Sequence, residues 1–241
     1  MASQRGPGFW WRLIEVLILP LFNSFVTLTV TKDSTLPRTG PFIVAPNHHS
    51  EIDPIVMGVA VWRLGRTPRF LAKASLFKIP VVGFLLRATG QIPVERGASS
   101  TGGALRAANQ LISENQGLIV YPEGTLTRQP DLWPMKGKTG AIRMALESGI
   151  PLYPAAHWGT QDLMARYGKS LSVIPRPRIN VVVGEAMNLE AFQGRPITRV
   201  LLDEATDALM HAIQDLVASL RGETPPETIY EPQGTEPGRG R

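Results

Sequence analysis

Short apolar runs closed by turn residues alternate along this chain with longer segments of helical periodicity. Phe42-Ile43-Val44-Ala45 reads as a buried strand ended by Pro46. Asp53-Pro54 then opens a helical segment from Ile55 to Leu64, because Asp favours the N-cap and Pro the first helical position. Arg69 to Ala72 predicts a second strand, and Gly90 to Arg96 a short or edge strand containing Pro93. Ser99 to Asn115 predicts a helix with Leu105, Ala108, Leu111 and Ile112 on one face and Gly117 as its stop. Leu118-Ile119-Val120-Tyr121 is a strand by its branched residues and runs into the turn Pro122-Glu123-Gly124-Thr125.

Further on, Thr139 to Ser148 predicts a helix closed by Gly149, with strands at Leu152–Ala156 and Ile179–Val183. Thr198 to Arg221 is a long amphipathic helix with Leu201, Leu209, Ile213, Leu216 and Leu220 on its apolar face, stopped by Gly222. Strands alternating with helices predict an α/β fold: a mixed, largely parallel sheet flanked by helices. The expected division is an N-terminal helical segment over 1–31, a catalytic domain over 32–222, and a disordered Pro-, Gly- and Glu-rich tail over 223–241.

Two apolar stretches suit contact with lipid as well as ordinary core packing. Phe9 to Val30 is interrupted by Arg12 and Glu15 and kinked by Pro20, so its uncharged part falls short of the ~20 residues of a spanning helix. An interfacial helix fits better, with Trp10 and Trp11 at headgroup level and Arg5 and Arg12 facing anionic lipid. Phe77 to Leu86, flanked by Lys78 and Arg87, suits either an acyl pocket or contact with a bilayer.

Composition narrows the chemistry. A 43% apolar fraction and 19% charge belong to a folded protein. The net charge of +5 favours anionic partners such as phosphates or anionic lipid. The basic residues are scattered and match no nucleic-acid reading motif, so nucleic acid is not an expected partner. With no cysteine, a disulfide framework, a thiolate nucleophile and a Cys-ligated zinc site are all excluded.

The candidate chemistry sits at the strand-to-helix junction Asn47-His48-His49-Ser50-Glu51-Ile52-Asp53-Pro54. A carboxylate bonded to one imidazole nitrogen fixes the tautomer and leaves the other nitrogen as a base. Asp53 has two oxygens and could both cap the helix and orient His48. The turn Glu123-Gly124-Thr125 can expose backbone N–H groups to a phosphate, and Arg96 suits bidentate phosphate binding. Ser50 reads as a local hydrogen-bonder, and His157 and His211 as structural.

Taken in order, four blocks resemble the glycerolipid acyltransferases, the 1-acylglycerol-3-phosphate acyltransferases and their relatives. They are Asn47-His48-x-Ser50-x-x-Asp53, Gly90-x-Ile92-x-Val94-x-Arg96, Tyr121-Pro122-Glu123-Gly124-Thr125 and Ile150-Pro151-Leu152-x-Pro154. The resemblance covers about Phe42 to Ala155. It implies a glycerol-3-phosphate acyltransferase-like fold with His48 as base and Asp53 as its orienting acid, working without metal or cofactor. The co-substrate would be acyl-CoA or acyl carrier protein, and the acceptor lysophosphatidate, acylated to phosphatidate at the cytoplasmic face of a membrane. Lys73 or backbone N–H groups would face the oxyanion, and Arg96 with Glu123, Gly124 and Thr125 would hold the phosphate, Glu123 by fixing geometry rather than by contact. Leu126 stands where the family usually has Arg, which brings in the later basic residues Arg128, Lys136 and Lys138.

Other readings share parts of this pattern. Glycerol-3-phosphate, another lysophospholipid or a lipid-linked sugar could be the acceptor, and a membrane lipid binder without turnover is a different class. His48-His49-x-x-x-Asp53 also resembles condensation-type acyltransferases, in which the second His is the base. Those enzymes are much larger and lack the Pro-Glu-Gly-Thr block.

Overall fold

The computed structural model describes residues 13, 15–16, 19–94 and 111–232. Its elements, in chain order, are α1 (Leu19–Phe25), β1 (Thr27–Val30), β2 (Phe42–Pro46), α2 (Asp53–Arg63), β3 (Leu71–Lys73), α3 (Pro80–Ala88), β4 (Ile92–Val94), β5 (Gly117–Ile119), α4 (Gly140–Ser148), β6 (Leu152–Trp158), α5 (Thr160–Leu163), β7 (Arg178–Val183) and α6 (Arg199–Arg221), with 3₁₀ turns at Ala74–Lys78 and Glu190–Phe192.

The main sheet runs β1-β7-β6-β2-β5. β2 pairs in parallel with both β5 and β6, β7 pairs in parallel with β1, and β6 and β7 are antiparallel. The sheet is therefore mixed, with parallel pairs in the majority. β3 and β4 form a small parallel pair, tied to the main sheet by a bridge between Phe70 and Ile119.

Alternation along β2 builds two cores. Ile43 and Ala45 face one cluster, with α4 and α6 supplying Ile142, Met144, Leu202, Leu209 and Ile213. Phe42 and Val44 face the other, with Val56, Met57 and Ala60 of α2 and Leu28 of β1. Helices thus cover both faces of a central strand, as parallel pairing requires. α6 is capped by the Thr198 hydroxyl, which accepts from the Leu201 N–H, and it ends at Gly222 with φ of 66°.

The structure departs from the sequence reading at both ends and at Asp53. Thr27–Val30, expected to close the membrane segment, is an edge strand whose Leu28 is buried and whose Thr27 pairs with Arg178. Leu19 and Phe22 of α1 pack against the second core. The catalytic fold therefore begins upstream of residue 32. Residues 223–232, expected to be disordered, run back along the domain: Tyr230 bridges Met135, and Glu231 meets Lys136 at 2.8 Å. Among the described residues no helix is long and apolar enough to cross a membrane. The amphipathic stretch over residues 1–12, most of the predicted Ser99–Asn115 helix, and residues 233–241 lie outside the described residues.

Asp53 is not the N-cap of α2. Ile52 holds that position, with no side-chain cap bond, and Asp53 is the first helical residue. Its carboxylate turns back toward the preceding residues.

Candidate active site

β2 lies between β5 and β6, so the loops leaving the C-terminal ends of these three parallel strands converge. Open α/β sheets place their ligand sites at such edges. His48 leaves β2 there, and its Nδ1 lies 3.0 Å from Asp53 Oδ2. The imidazole stacks on Tyr121 at a centroid distance of 4.1 Å, and its side chain is 15% exposed. Nε2 is the ring nitrogen left for a ligand.

Asp53 is fully buried, and the same Oδ2 also accepts the backbone N–H groups of His49 and Ser50, each at 2.8 Å. Burial alone would raise this carboxyl. It is outweighed by His157, by the hydrogen bond from His48 and by the nearby His49, which together hold Asp53 well below the usual carboxylate range. One oxygen thus shapes the turn and orients the imidazole, while Oδ1 has no hydrogen-bond partner.

His49 is walled in. Its Nδ1 accepts from Asn47 Nδ2 at 3.0 Å, so Nε2 carries the proton and donates to Thr160 Oγ1 at 2.7 Å and Gln161 Oε1 at 3.0 Å. Burial lowers its pKa to about 3. His157 on β6 donates from Nε2 to the Asn47 carbonyl at 2.9 Å, and that nitrogen lies 3.6 Å from Asp53 Oδ2. The sequence reading found no acid for His157; Asp53 is that acid. Ligand atoms of His49, Asp53 and His157 lie within 4.8 Å of one another, a spacing a metal ion could bridge. Both nitrogens of His49 and Nε2 of His157 are already engaged, so this donor set does not suit one. Ser50 Oγ donates to the Met164 carbonyl at 2.7 Å, the local role expected of it.

The second loop grips the first. Glu123 Oε1 accepts the His48 N–H at 2.8 Å and Oε2 the Met135 N–H at 3.1 Å, while the Thr127 N–H donates to the His48 carbonyl at 2.6 Å. Glu123 is 1% exposed, and burial pushes its carboxyl up to about 8 against the pull of these N–H donors. Both of its oxygens are engaged by backbone. Leu126 is buried. Gly124, with φ of 70°, makes the turn. Lys138 lies across it: a Cβ at Gly124 would stand 2.9 Å from Lys138 Nζ. Thr125 and Arg128 are half-buried on the same loop, and the Arg128 N–H points to Met135 sulfur at 3.4 Å.

A cavity of about 720 Å³ opens beside His48. Pro54, Ile55, Gly58, Val59 and Trp62 give it one helical face, at the i, i+4 spacing of α2. Phe70, Leu71, Leu76, Leu86 and Tyr121 supply other apolar walls, and Gly124 also borders it.

Residues 27–158, more than half of the chain, match the family model described as Acyltransferase. The chain belongs to the acyltransferase family. The 1-acyl-sn-glycerol-3-phosphate acyltransferase of Borreliella burgdorferi is 25% identical over 197 residues, covering 79% of this acyltransferase and 75% of the relative. That of Bacillus subtilis is 27% identical over 190 residues, covering 78% and 86%. In fold, the acyltransferase is similar to the crystal structure of the 1-acyl-sn-glycerophosphate (LPA) acyltransferase from Thermotoga maritima, with a TM-score of 0.59 over 85% of this chain and 78% of the other, at 22% identity.

Of the residues singled out in the sequence, the acyltransferase fold gathers His48, Asp53, Glu123, Gly124 and Lys138, with His48 and Gly124 lining the cavity and the other three held against them. Lys73 closes β3, where its backbone pairs with Val94. Arg96 lies outside the described residues. Sequence reasoning missed the roles of Asn47, Tyr121 and His157. A histidine in the otherwise apolar strand Leu152–Trp158 was the signal for the last.

Proposed function

We propose that this acyltransferase moves a fatty acyl group from a thioester donor, acyl-CoA or acyl carrier protein, to the free hydroxyl of 1-acylglycerol-3-phosphate, giving phosphatidate. The observation that carries the reading is the His48–Asp53 pair at the end of a largely apolar cavity, with the Lys138 ammonium beside Gly124. Relatives from two bacteria bear the name of this activity.

The acceptor hydroxyl gives its proton to His48 Nε2 as its oxygen attacks the thioester carbonyl. Asp53, charged and bonded to Nδ1, stabilises the imidazolium that forms. The tetrahedral oxyanion collapses, the carbon–sulfur bond breaks, and the leaving thiolate takes the proton back from Nε2. No acyl-enzyme forms. Lys73 or turn N–H groups face the oxyanion, and Arg96 and Lys138 draw the acceptor phosphate. The acyl chain lies along the α2 face of the cavity. The site works at the cytoplasmic surface of a membrane, where donor and lipid acceptor meet.

The test is turnover of the purified full chain with acyl-CoA or acyl carrier protein against lysophosphatidate, other lysophospholipids and glycerol-3-phosphate. Lysophosphatidate should give the highest kcat/KM. A clear preference for glycerol-3-phosphate or an uncharged lysolipid would replace this reading.

A further inference from the structure

Six of the seventeen large apolar side chains that stand exposed among the described residues fall between 76 and 85: Leu76, Ile79, Val81, Val82, Phe84 and Leu85. Water-facing apolar residues scattered singly are ordinary, but a dense run on one short element is not. Val81 is 70% exposed. The run occupies the 3₁₀ turn Ala74–Lys78 and α3, and Gly83 explains its shape. A Cβ there would meet the Phe77 carbonyl oxygen at 2.1 Å, so glycine lets α3 fold back directly on the turn. Leu76 and Leu86 then face the cavity beside His48, while Val81, Val82 and Leu85 stand outward.

Charge names the partner. From Pro54 to Val94 the sequence holds no Asp or Glu, whereas Arg63, Arg66, Arg69, Lys73, Lys78 and Arg87 lie within it. Arg66 and Arg69 are buried, but Lys78 is exposed in the first part of the apolar run and Arg87 is exposed just past its end. An apolar surface accompanied by exposed cations suits the boundary between acyl chains and anionic headgroups. The same element also walls the cavity, so a lipid chain could pass from bilayer to pocket along it without crossing water.

We propose that α3 and the turn before it insert into the interfacial layer of an anionic bilayer, forming the lipid-facing rim of the cavity. This contact lies within the catalytic domain and is separate from any made by residues 1–12. It draws sense from a lipid substrate, but its test reads lipid contact without turnover, so the two readings fail independently.

The full chain has no cysteine, so Val81→Cys and Leu85→Cys each accept one environment-sensitive fluorophore, with Val200→Cys, 74% exposed on α6, as control. On phosphatidylcholine–phosphatidylglycerol vesicles, labels at 81 and 85 should shift to the blue, brighten several-fold and be quenched by lipids carrying a nitroxide high on the acyl chain. The label at 200 should not change. Val81→Glu with Leu85→Glu should weaken partition roughly tenfold. Labels at 81 and 85 that keep their water spectrum on vesicle-bound protein would overturn the proposal. So would labels already shielded before vesicles are added, which would mean that another part of the chain or a second copy covers this face.

Discussion

The Glu123 carboxylate holds the backbone N–H of His48 at 2.8 Å across 75 positions of sequence, while its other oxygen holds Met135. The acid of the Pro-Glu-Gly-Thr turn is therefore a clamp between the loop carrying His48 and the loop that closes behind it.

Replacing Glu123 with Gln sets an amide NH₂ against one of those N–H groups. It should destabilise the fold by about 1–3 kcal/mol. It should also change the pH dependence. The folded carboxyl is raised to about 8 from 4.5, so the folded state binds more protons between these values and stability falls as pH rises through that window. Between pH 6.5 and 8, above the range where the buried imidazoles act, urea midpoints should decline in the wild type, and this component should vanish in Glu123→Gln.

His49 acts with the opposite sign. Its pKa is lowered from 6.5 to about 3 by burial, so the unfolded chain takes up its proton first as pH drops. Its contribution is intact above pH 6.5 and is lost on falling toward pH 3. His49→Gln should flatten that acid loss in the same titration and lower stability at pH 7, yet leave acyl transfer within about tenfold of wild type, because His48 supplies the base.

Gly58 lies one helical turn along α2 from Pro54, and a Cβ there would meet the Phe70 ring at 3.5 Å. The cavity face from Pro54 to Trp62 spans about 12 Å at helical rise. Gly58→Leu should block it near its middle and shift preference toward short-chain acyl donors by roughly tenfold or more in kcat/KM, read from competition between long- and short-chain donors.

In the proposed reading, Lys138 provides the charge that Leu126 does not. Lys138→Ala should raise KM for lysophosphatidate roughly threefold to tenfold, since the ammonium is exposed. KM for an uncharged lysolipid should hardly move.

The strands after β1 were legible because each is a short apolar run with a clear stop, and α6 because its cap, stripe and terminal glycine agree. β1 was hidden because Thr27–Val30 follows the apolar stretch Leu19–Phe25 without a break, and period-two burial cannot be read from four residues beside it. The His48–Asp53 pair was legible because its members lie five positions apart on one turn. The Asn47–His157 bonds span 110 positions, and only the pairing of β2 with β6 brings them together. Lys138 stood out only as one basic residue among several until its backbone N–H was seen bound to the Pro122 carbonyl at 2.7 Å.

The central claim is that His48, and not His49, takes the acceptor's proton. Phosphatidate formation from lysophosphatidate and acyl-CoA by purified His48→Ala and His49→Ala proteins, each matched to wild type by circular dichroism, tests it most directly. The account predicts a kcat loss of roughly a hundredfold to ten-thousandfold for His48→Ala and a far smaller loss for His49→Ala. Wild-type turnover by His48→Ala, or the larger loss falling on His49→Ala, would contradict it.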